Sequence, residues 1–188
     1  MPSWELLAVL LGIIYLLAAV REYLWCWYAA FASTLIYLFL FWDVRLLMES
    51  GLQLYYLVMA VYGWWSWRHG NSEDGGLLIS RWRWQYHLAA IAVVLALSLL
   101  SGSALSAYTD AVNPFLDSFT TWGAVITTWM VARKILENWV YWLVIDAVSI
   151  FLYLDRELYL TAALFAAYIV IALFGLQQWL MHYRQQSS

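Results

Sequence analysis

Four side chains that can hydrogen bond or stack recur at helical spacing inside one apolar stretch, RKILENWVYWLVIDAVSIFLYLD (133–155): Asn138, Trp142, Asp146 and Ser149. At about 100° per residue they fall within an arc of about 80°, so they share one narrow face of a helix. A carboxyl group near the centre of a membrane helix costs roughly 2.5–3.5 kcal/mol on insertion scales unless a polar cavity or a partner receives it. Asp146 therefore belongs either to a polar clamp between helices or to a solute site, and we favour the solute site.

Two further predicted helices carry comparable stripes. On the first, the polar and aromatic positions that share an arc of about 80° at the helical step are Gln53, Tyr56, Trp64 and Trp67. On the second, the clustered polar positions are Asp117, Thr121 and Thr128. Aromatic faces stack on rings and attract cations, while amides and hydroxyls bond the hydroxyl or amide groups of a ligand. The three stripes together predict a cavity for a flat, polar molecule that can carry a positive charge.

The composition indicates an integral membrane protein. Of the 188 residues, 65% are hydrophobic and 11% are charged, against about 45–50% and about 25% in soluble domains. The net charge of −3 without a basic cluster gives no electrostatic footprint for nucleic acid. The single Cys26 excludes an intramolecular disulfide, and the three histidines have no metal-site spacing. No nucleophile–base pair is visible, so we predict no enzyme activity, no cofactor and no metal.

Apolar segments of about the 20 residues needed to cross a bilayer recur seven times and predict an all-α protein. The predicted spans are residues 3–20, 23–42, 46–67, 84–106, 115–132, 133–155 and 158–181. The polar segment from Arg68 to Arg83 is typical of a flexible linker. Seven of the nine Lys and Arg residues follow odd-numbered spans, and Arg45 and Arg156 do not. By the positive-inside rule, this asymmetry predicts an outside N-terminus and a cytoplasmic C-terminus.

Residues in the first part of the chain recur in its last part at a constant sequence separation, which is the separation of Arg21 from Arg133. We call this separation the repeat offset. At this repeat offset, Trp27 also matches Trp139, and Gly63 matches Gly175. The matches predict two parallel three-helix units, residues 1–68 and 114–188, joined by a linker loop and a fourth helix at 69–113. In transporters built from parallel repeats, the substrate binds at the repeat interface near the bilayer midplane. The copies differ where we predict chemistry, since Asp146 stands where the first copy has Thr34.

Three motifs carry a resemblance to a known family. The sequence Glu137-Asn138-Trp139-x-x-Trp142, preceded by Arg133-Lys134, resembles the sixth-helix motif of the PnuC family of bacterial vitamin transporters. The sequence Tyr62-Gly63-Trp64-x-x-Trp67 is similar to that family's third-helix motif. The sequence Pro114-Phe115-x-Asp117-Ser118 resembles its fifth-helix start, although Leu116 stands where a Trp is frequent. The match covers essentially the whole chain.

This resemblance implies a three-plus-one-plus-three fold, related to the SWEET sugar transporters, in the bacterial inner membrane. It implies facilitated diffusion of nicotinamide riboside, thiamine or riboflavin, with a cytoplasmic kinase trapping the solute as its phosphate. It also raises a homotrimer as the assembly. Nicotinamide riboside carriers of the family commonly have Asn where this chain has Asp146, and an acid there would balance the positive ring of nicotinamide riboside or of thiamine. Nicotinamide riboside is the predicted substrate; the alternatives are thiamine, riboflavin, and a proton-coupled carrier that uses Asp146.

Overall fold

The computed structural model describes residues 2–43, 47–70, 76–108, 113–155, 157 and 159–186. Within these ranges the chain forms seven α-helices and no β-strand. The helices are α1 Pro2–Val20, α2 Cys26–Asp43, α3 Leu47–Arg68, α4 Trp84–Tyr108, α5 Pro114–Ala132, α6 Asn138–Asp155 and α7 Tyr159–Gln186. The all-α prediction is confirmed, and each predicted span coincides with one helix, apart from small differences at the ends. Arg45 and Arg156, which entered the topology prediction, lie outside the described residues.

Several of the described helices have a length and a surface that fit a bilayer. By length and composition, the stretches able to cross one are Trp84–Tyr108, Asn138–Asp155 and Thr161–Gln186, and shorter apolar stretches are Trp4–Val20 and Cys26–Leu40. On α4 the side chains of Leu99 and Leu100 are 61% and 69% exposed. A continuous apolar surface of this kind is stable against hydrocarbon and unstable against water.

The helices pack as two groups of three, with α4 to one side. In the first group α2 contacts both α1 and α3, and in the second α6 contacts both α5 and α7. Contacts of α3 with α5 and of α1 with α7 join the groups, whereas α4 packs on α5. The α4–α5 contact is close at Gly102, where an added Cβ would lie 2.6 Å from the ring of Phe115. The two groups therefore enclose a central space to which α4 does not contribute.

The turn after α1 and the turn after α5 are related by the repeat offset and have the same hydrogen-bond pattern. In each, an N–H bonds back to the fifth preceding carbonyl, at 3.0 Å from Tyr23 to Ala18 and at 2.9 Å from Ile135 to Met130. Glu22 and Lys134 both have positive φ, 57° and 48°, which is uncommon for a residue with a side chain. Their charged groups contact each other at 2.7 Å, so the C-terminal ends of α1 and α5 lie side by side. This turn also explains why α6 begins at Asn138, later than predicted.

Glycines on α3 and α7 let a tryptophan of the preceding helix approach the helix backbone. A Cβ added at Gly63 would lie 2.3 Å from the ring of Trp27, and one added at Gly175 would lie 2.7 Å from the ring of Trp139. Approaches this close are not compatible with a side chain, so only glycine permits this packing. The two contacts are again related by the repeat offset.

Four buried indole rings, which we call the tryptophan layer, cross the bundle at this end: Trp27, Trp67, Trp139 and Trp179. The rings of Trp27 and Trp67 pack edge to face at 5.3 Å, and those of Trp139 and Trp179 do so at 5.4 Å. The Trp67 indole N–H donates to the carbonyl of Val131, and the Trp179 indole N–H donates to the carbonyl of Ala19, both at 3.1 Å. Each three-helix group therefore bonds the other through a tryptophan.

The segment before α4 is bound to the turn after α5. The Ser80 N–H donates to the carbonyl of Lys134 at 3.0 Å, and the Leu136 N–H donates to the carbonyl of Ser80 at 2.8 Å. Arg81 pairs with Glu137 at 2.8 Å, and Ile79 is 4% exposed. The prediction of a flexible linker is therefore wrong for residues 76–83; residues 71–75 lie outside the described part of the chain.

Candidate functional site

A cavity of about 520 Å³ lies between the two three-helix groups. All helices except α4 contribute residues to its lining. Trp27 and Trp139 of the tryptophan layer belong to this lining, so the layer bounds the cavity on one side. The volume falls within the range of about 300–1,000 Å³ that is usual for small-molecule sites, and a single-ring or three-ring vitamin is of that size.

The cavity brings together seven of the eleven predicted site residues. Those that line it are Gln53, Tyr56, Thr121, Thr128, Trp142, Asp146 and Ser149. They come from α3, α5 and α6, the three helices on which stripes were predicted. The structure therefore places these side chains where they can meet one solute, and their role in binding stays a prediction.

Four predicted site residues do not line this cavity. Trp64 lies beneath Arg68, whose guanidinium is 5.2 Å from the ring centre, and Trp67 is buried in the tryptophan layer. Asn138 is fully buried at the start of α6, where its side-chain amide donates to the carbonyl of Ile135 at 2.7 Å. Asp117 is in the first turn of α5. All four lie toward the ends of their helices, although Trp139, the residue after Asn138, does line the cavity.

Asp146 lies at the middle of α6, and its side chain lines the cavity while remaining only 4% exposed. No hydrogen bond or ion pair to it is found in the described part of the chain. A buried carboxylate without a partner is unfavourable. The carboxylate does not act as a clamp to any described neighbour, and a cation or a proton from the cavity would complete its environment.

Trp142 lines the cavity one helical turn before Asp146. Its side chain is half-buried, and among the described residues no ring packs against it. Elsewhere in the lining, by contrast, Phe165 is already packed between Tyr153 at 5.2 Å and Tyr168 at 5.5 Å. Trp142 is therefore the indole best placed to stack on a solute.

The hydroxyl groups of the α5 stripe present acceptors to the cavity. Thr121 donates its hydroxyl hydrogen to the carbonyl of Asp117, and Thr128 donates to the carbonyl of Ala124, both at 2.8 Å. A hydroxyl carries one hydrogen and two lone pairs, so these threonines have only lone pairs left. They suit the hydroxyl or amide hydrogens of a solute.

Most of the lining consists of pairs of residues related by the repeat offset. The pairs are Gly12 with Ala124, Leu16 with Thr128, Trp27 with Trp139, Ala30 with Trp142, Ser33 with Ile145, Thr34 with Asp146, Gln53 with Phe165, Tyr56 with Tyr168, and Ala60 with Ala172. Sequence reasoning missed Thr34, Phe165 and Tyr168 as lining residues. The offset would have identified all three, since each is the partner of a predicted site residue.

Comparisons with known proteins agree with this architecture. A family model described as "Nicotinamide mononucleotide transporter" matches residues 3–181. The riboflavin/roseoflavin transporter RibM of Streptomyces davaonensis is 25% identical over 186 residues, covering 97% of this chain and 87% of that protein. The nicotinamide riboside transporter PnuC of Escherichia coli is 20% identical over 215 residues, covering 99% and 89%. A crystal structure of the vitamin B3 transporter PnuC superposes with a TM-score of 0.74 at 16% identity, covering 97% of this chain and 83% of that one.

Proposed function

The chain belongs to the PnuC family of vitamin transporters, and on this premise we propose that it carries nicotinamide riboside across the bacterial inner membrane by facilitated diffusion. The observation that carries the proposal is that two lining residues one turn apart on α6, Asp146 and Trp142, are a buried carboxylate without a described partner and an indole on which no described ring packs. A flat aromatic cation satisfies both groups at once, since it stacks on the indole and balances the carboxylate.

The remaining polar groups of the lining suit the ribose. Thr121 and Thr128 retain only acceptor lone pairs, which fit the hydrogens of sugar hydroxyls. Ser149 lies on the same face as Asp146. We propose that these side chains bind the sugar while Trp142 binds the ring.

Two other vitamins compete with nicotinamide riboside in this proposal. Thiamine carries a positive thiazolium ring, so Asp146 would serve it equally well. Riboflavin is favoured by the 25% identity to RibM, but its neutral ring leaves the carboxylate unbalanced. Binding of the three vitamins to purified protein tests the choice: we expect nicotinamide riboside to bind most tightly. Tightest binding of riboflavin or of thiamine would keep the family assignment and overturn the substrate.

Facilitated diffusion moves a solute down its own concentration gradient and needs no ion gradient. A cytoplasmic kinase that phosphorylates the solute would maintain the solute gradient by keeping the internal concentration of the free solute low. We expect proteoliposomes without any gradient to equilibrate labelled nicotinamide riboside, and an enclosed kinase to drive further accumulation. A proton-coupled carrier that uses Asp146 is the alternative. Uptake that collapses when the proton gradient is dissipated, with no kinase present, would favour coupling. The absence of enzyme activity fits the relatives, which are named as transporters.

We propose that the fold is a three-plus-one-plus-three parallel repeat in which all seven helices span the membrane. The units are residues 1–68 and 114–188, and residues 69–113 provide the linker and fourth helix. The matching turns, glycine–tryptophan contacts and cavity pairs at the repeat offset support this division. The basic residues support an outside N-terminus and a cytoplasmic C-terminus. A homotrimer remains a prediction that the family resemblance raised.

A further inference from the structure

Ala30 on α2 and Trp142 on α6 occupy matching positions, related by the repeat offset, and both line the cavity. Each follows, by just under one helical turn, a tryptophan that packs on a glycine of the next helix, Trp27 or Trp139. The turns that precede these tryptophans have the same hydrogen bonds. The backbone is therefore placed alike on the two sides, and the two side chains differ by a whole indole ring.

An indole at position 30 would project into the cavity that Ala30 lines, and the space it would fill is the place of the absent indole. Trp142 has no aromatic partner among the residues that the structure describes, whereas the indoles of the tryptophan layer are paired with one another. An apolar space of about 150 Å³ is enough to hold a benzene ring in a protein. One such ring occupies a minor part of the 520 Å³ that the cavity offers.

The polar lining residues on α2 and α3 are uncharged, whereas Asp146 lies on α6 with Trp142. One helical turn after Ala30 comes Thr34, where the other side has Asp146, and α3 contributes Gln53, where α7 has Phe165. The side of the cavity near Ala30 therefore combines free space with amide and hydroxyl groups. A ring that bears a hydrogen-bonding substituent such as a carboxamide suits this combination.

We infer that Ala30 is a specificity-determining residue: the flat ring of the transported molecule lies in the place that an indole at position 30 would fill, and it stacks on Trp142. The inference rests on the proposed function, because it requires a solute with a flat ring. The competing explanation is that Ala30 is small only so that α2 can pack against its neighbours. In that case a larger side chain would lower stability and leave the affinity of the folded protein intact.

The test compares Ala30→Trp with Phe31→Trp, which adds bulk at the adjacent, outward-facing position that is 39% exposed. Affinities for nicotinamide riboside, thiamine and riboflavin are measured by titration calorimetry on folded protein, checked by thermal unfolding. We expect Ala30→Trp to weaken binding of the wild type's preferred vitamin by about tenfold or more, the scale of losing a stacked ring. Phe31→Trp should stay within about twofold of wild type. If Ala30→Trp does not fold, Ala30→Leu is used instead, and this smaller side chain should also weaken binding of the vitamin.

The double variant Ala30→Trp with Trp142→Ala moves the indole from position 142 to position 30. It leaves the space for the ring of the solute at position 142 instead of position 30. We expect it to bind more tightly than either single variant, which a purely structural role for Ala30 does not predict. The inference is overturned if folded Ala30→Trp binds like wild type, or if the double variant binds no better than the weaker single variant. A preference of the wild type for riboflavin would overturn the proposed substrate alone. The inference about Ala30 would then be tested by the affinities of the same variants for riboflavin. Wild-type protein that binds none of the three vitamins overturns both.

Discussion

Replacing Asp146 by Asn separates the charge of this side chain from its shape. At a separation of about 5 Å and an effective dielectric constant of about 20, a bound cation and the carboxylate attract each other by roughly 3 kcal/mol. Stripping water from the cation offsets part of this attraction, which leaves about 1.5–3 kcal/mol. We therefore expect Asp146→Asn to weaken thiamine binding by roughly 10–150-fold. The effect on nicotinamide riboside should be smaller, since resembling carriers of that vitamin have Asn here, and riboflavin should be unaffected.

The same substitution should stabilise the empty protein. In the wild type, the carboxylate is 4% exposed and has no partner in the described chain, so its neutral isostere removes an unfavourable buried charge. We expect the free energy of unfolding to rise by about 1–3 kcal/mol, which corresponds to about 2–4 °C in Tm for each kcal/mol. A substitution that raises the stability of the empty protein and lowers its affinity for a cation identifies the replaced side chain as a binding group.

Calorimetric titration of the three vitamins and thermal unfolding without ligand are the two assays. Asp155→Asn is the matched control, because Asp155 is an exposed carboxylate at the end of the same helix and bonds Asn113 at 2.8 Å. It should leave all affinities unchanged. Unchanged binding of every vitamin by Asp146→Asn, together with a loss of stability, would refute the reasoning and make Asp146 a helix clamp.

Three further predictions concern the aromatic residues and the topology. Trp142→Ala should weaken binding by about 1–3 kcal/mol without unfolding the protein, and wild-type affinity would remove this residue from the site. Trp67→Ala should instead lower the free energy of unfolding by about 3–5 kcal/mol, since its ring is 4% exposed and its N–H bonds Val131; a stable variant with weak binding would contradict this. A reporter fused after Arg184 should be cytoplasmic and one before Trp4 outside, whereas finding both on one side would exclude seven spans.

The helices and the central part of the site could be predicted because both depend on periodicity. Apolar runs of bilayer length identified the spans, and the helical step brought Trp142, Asp146 and Ser149 onto one face. All three line the cavity. This angular projection does not show how far along the helix a residue lies or which neighbours pack against it. Asn138 and Trp67 share the angle of the site residues, yet Asn138 is fully buried and bonds Ile135, and Trp67 is buried in the tryptophan layer.

Other features depended on partners that composition does not reveal. The segment from Arg68 to Arg83 is polar enough overall for a linker, yet within it Ile79 is buried, and Ser80 bonds the turn after α5 through both its N–H and its carbonyl. Thr34 sits in a helix with few other polar residues, so only its offset from Asp146 pointed to the cavity. Burial of a backbone segment depends on long-range contacts, which local patterns do not encode.

Matching and differing residues at the repeat offset are distributed in a way that suits a carrier. The positions that keep the same residue type hold the two groups together: Trp27 with Trp139, Gly63 with Gly175, and Trp67 with Trp179. The glycine and ring contacts of these residues are alike in the two groups. A vitamin has no such repetition, so a cavity between two like groups can be selective only if its two sides differ. The differences fall on lining pairs, with Ala30 against Trp142 and Thr34 against Asp146. In the binding mode that we propose, these differences place the ring and the charge of the solute on defined sides.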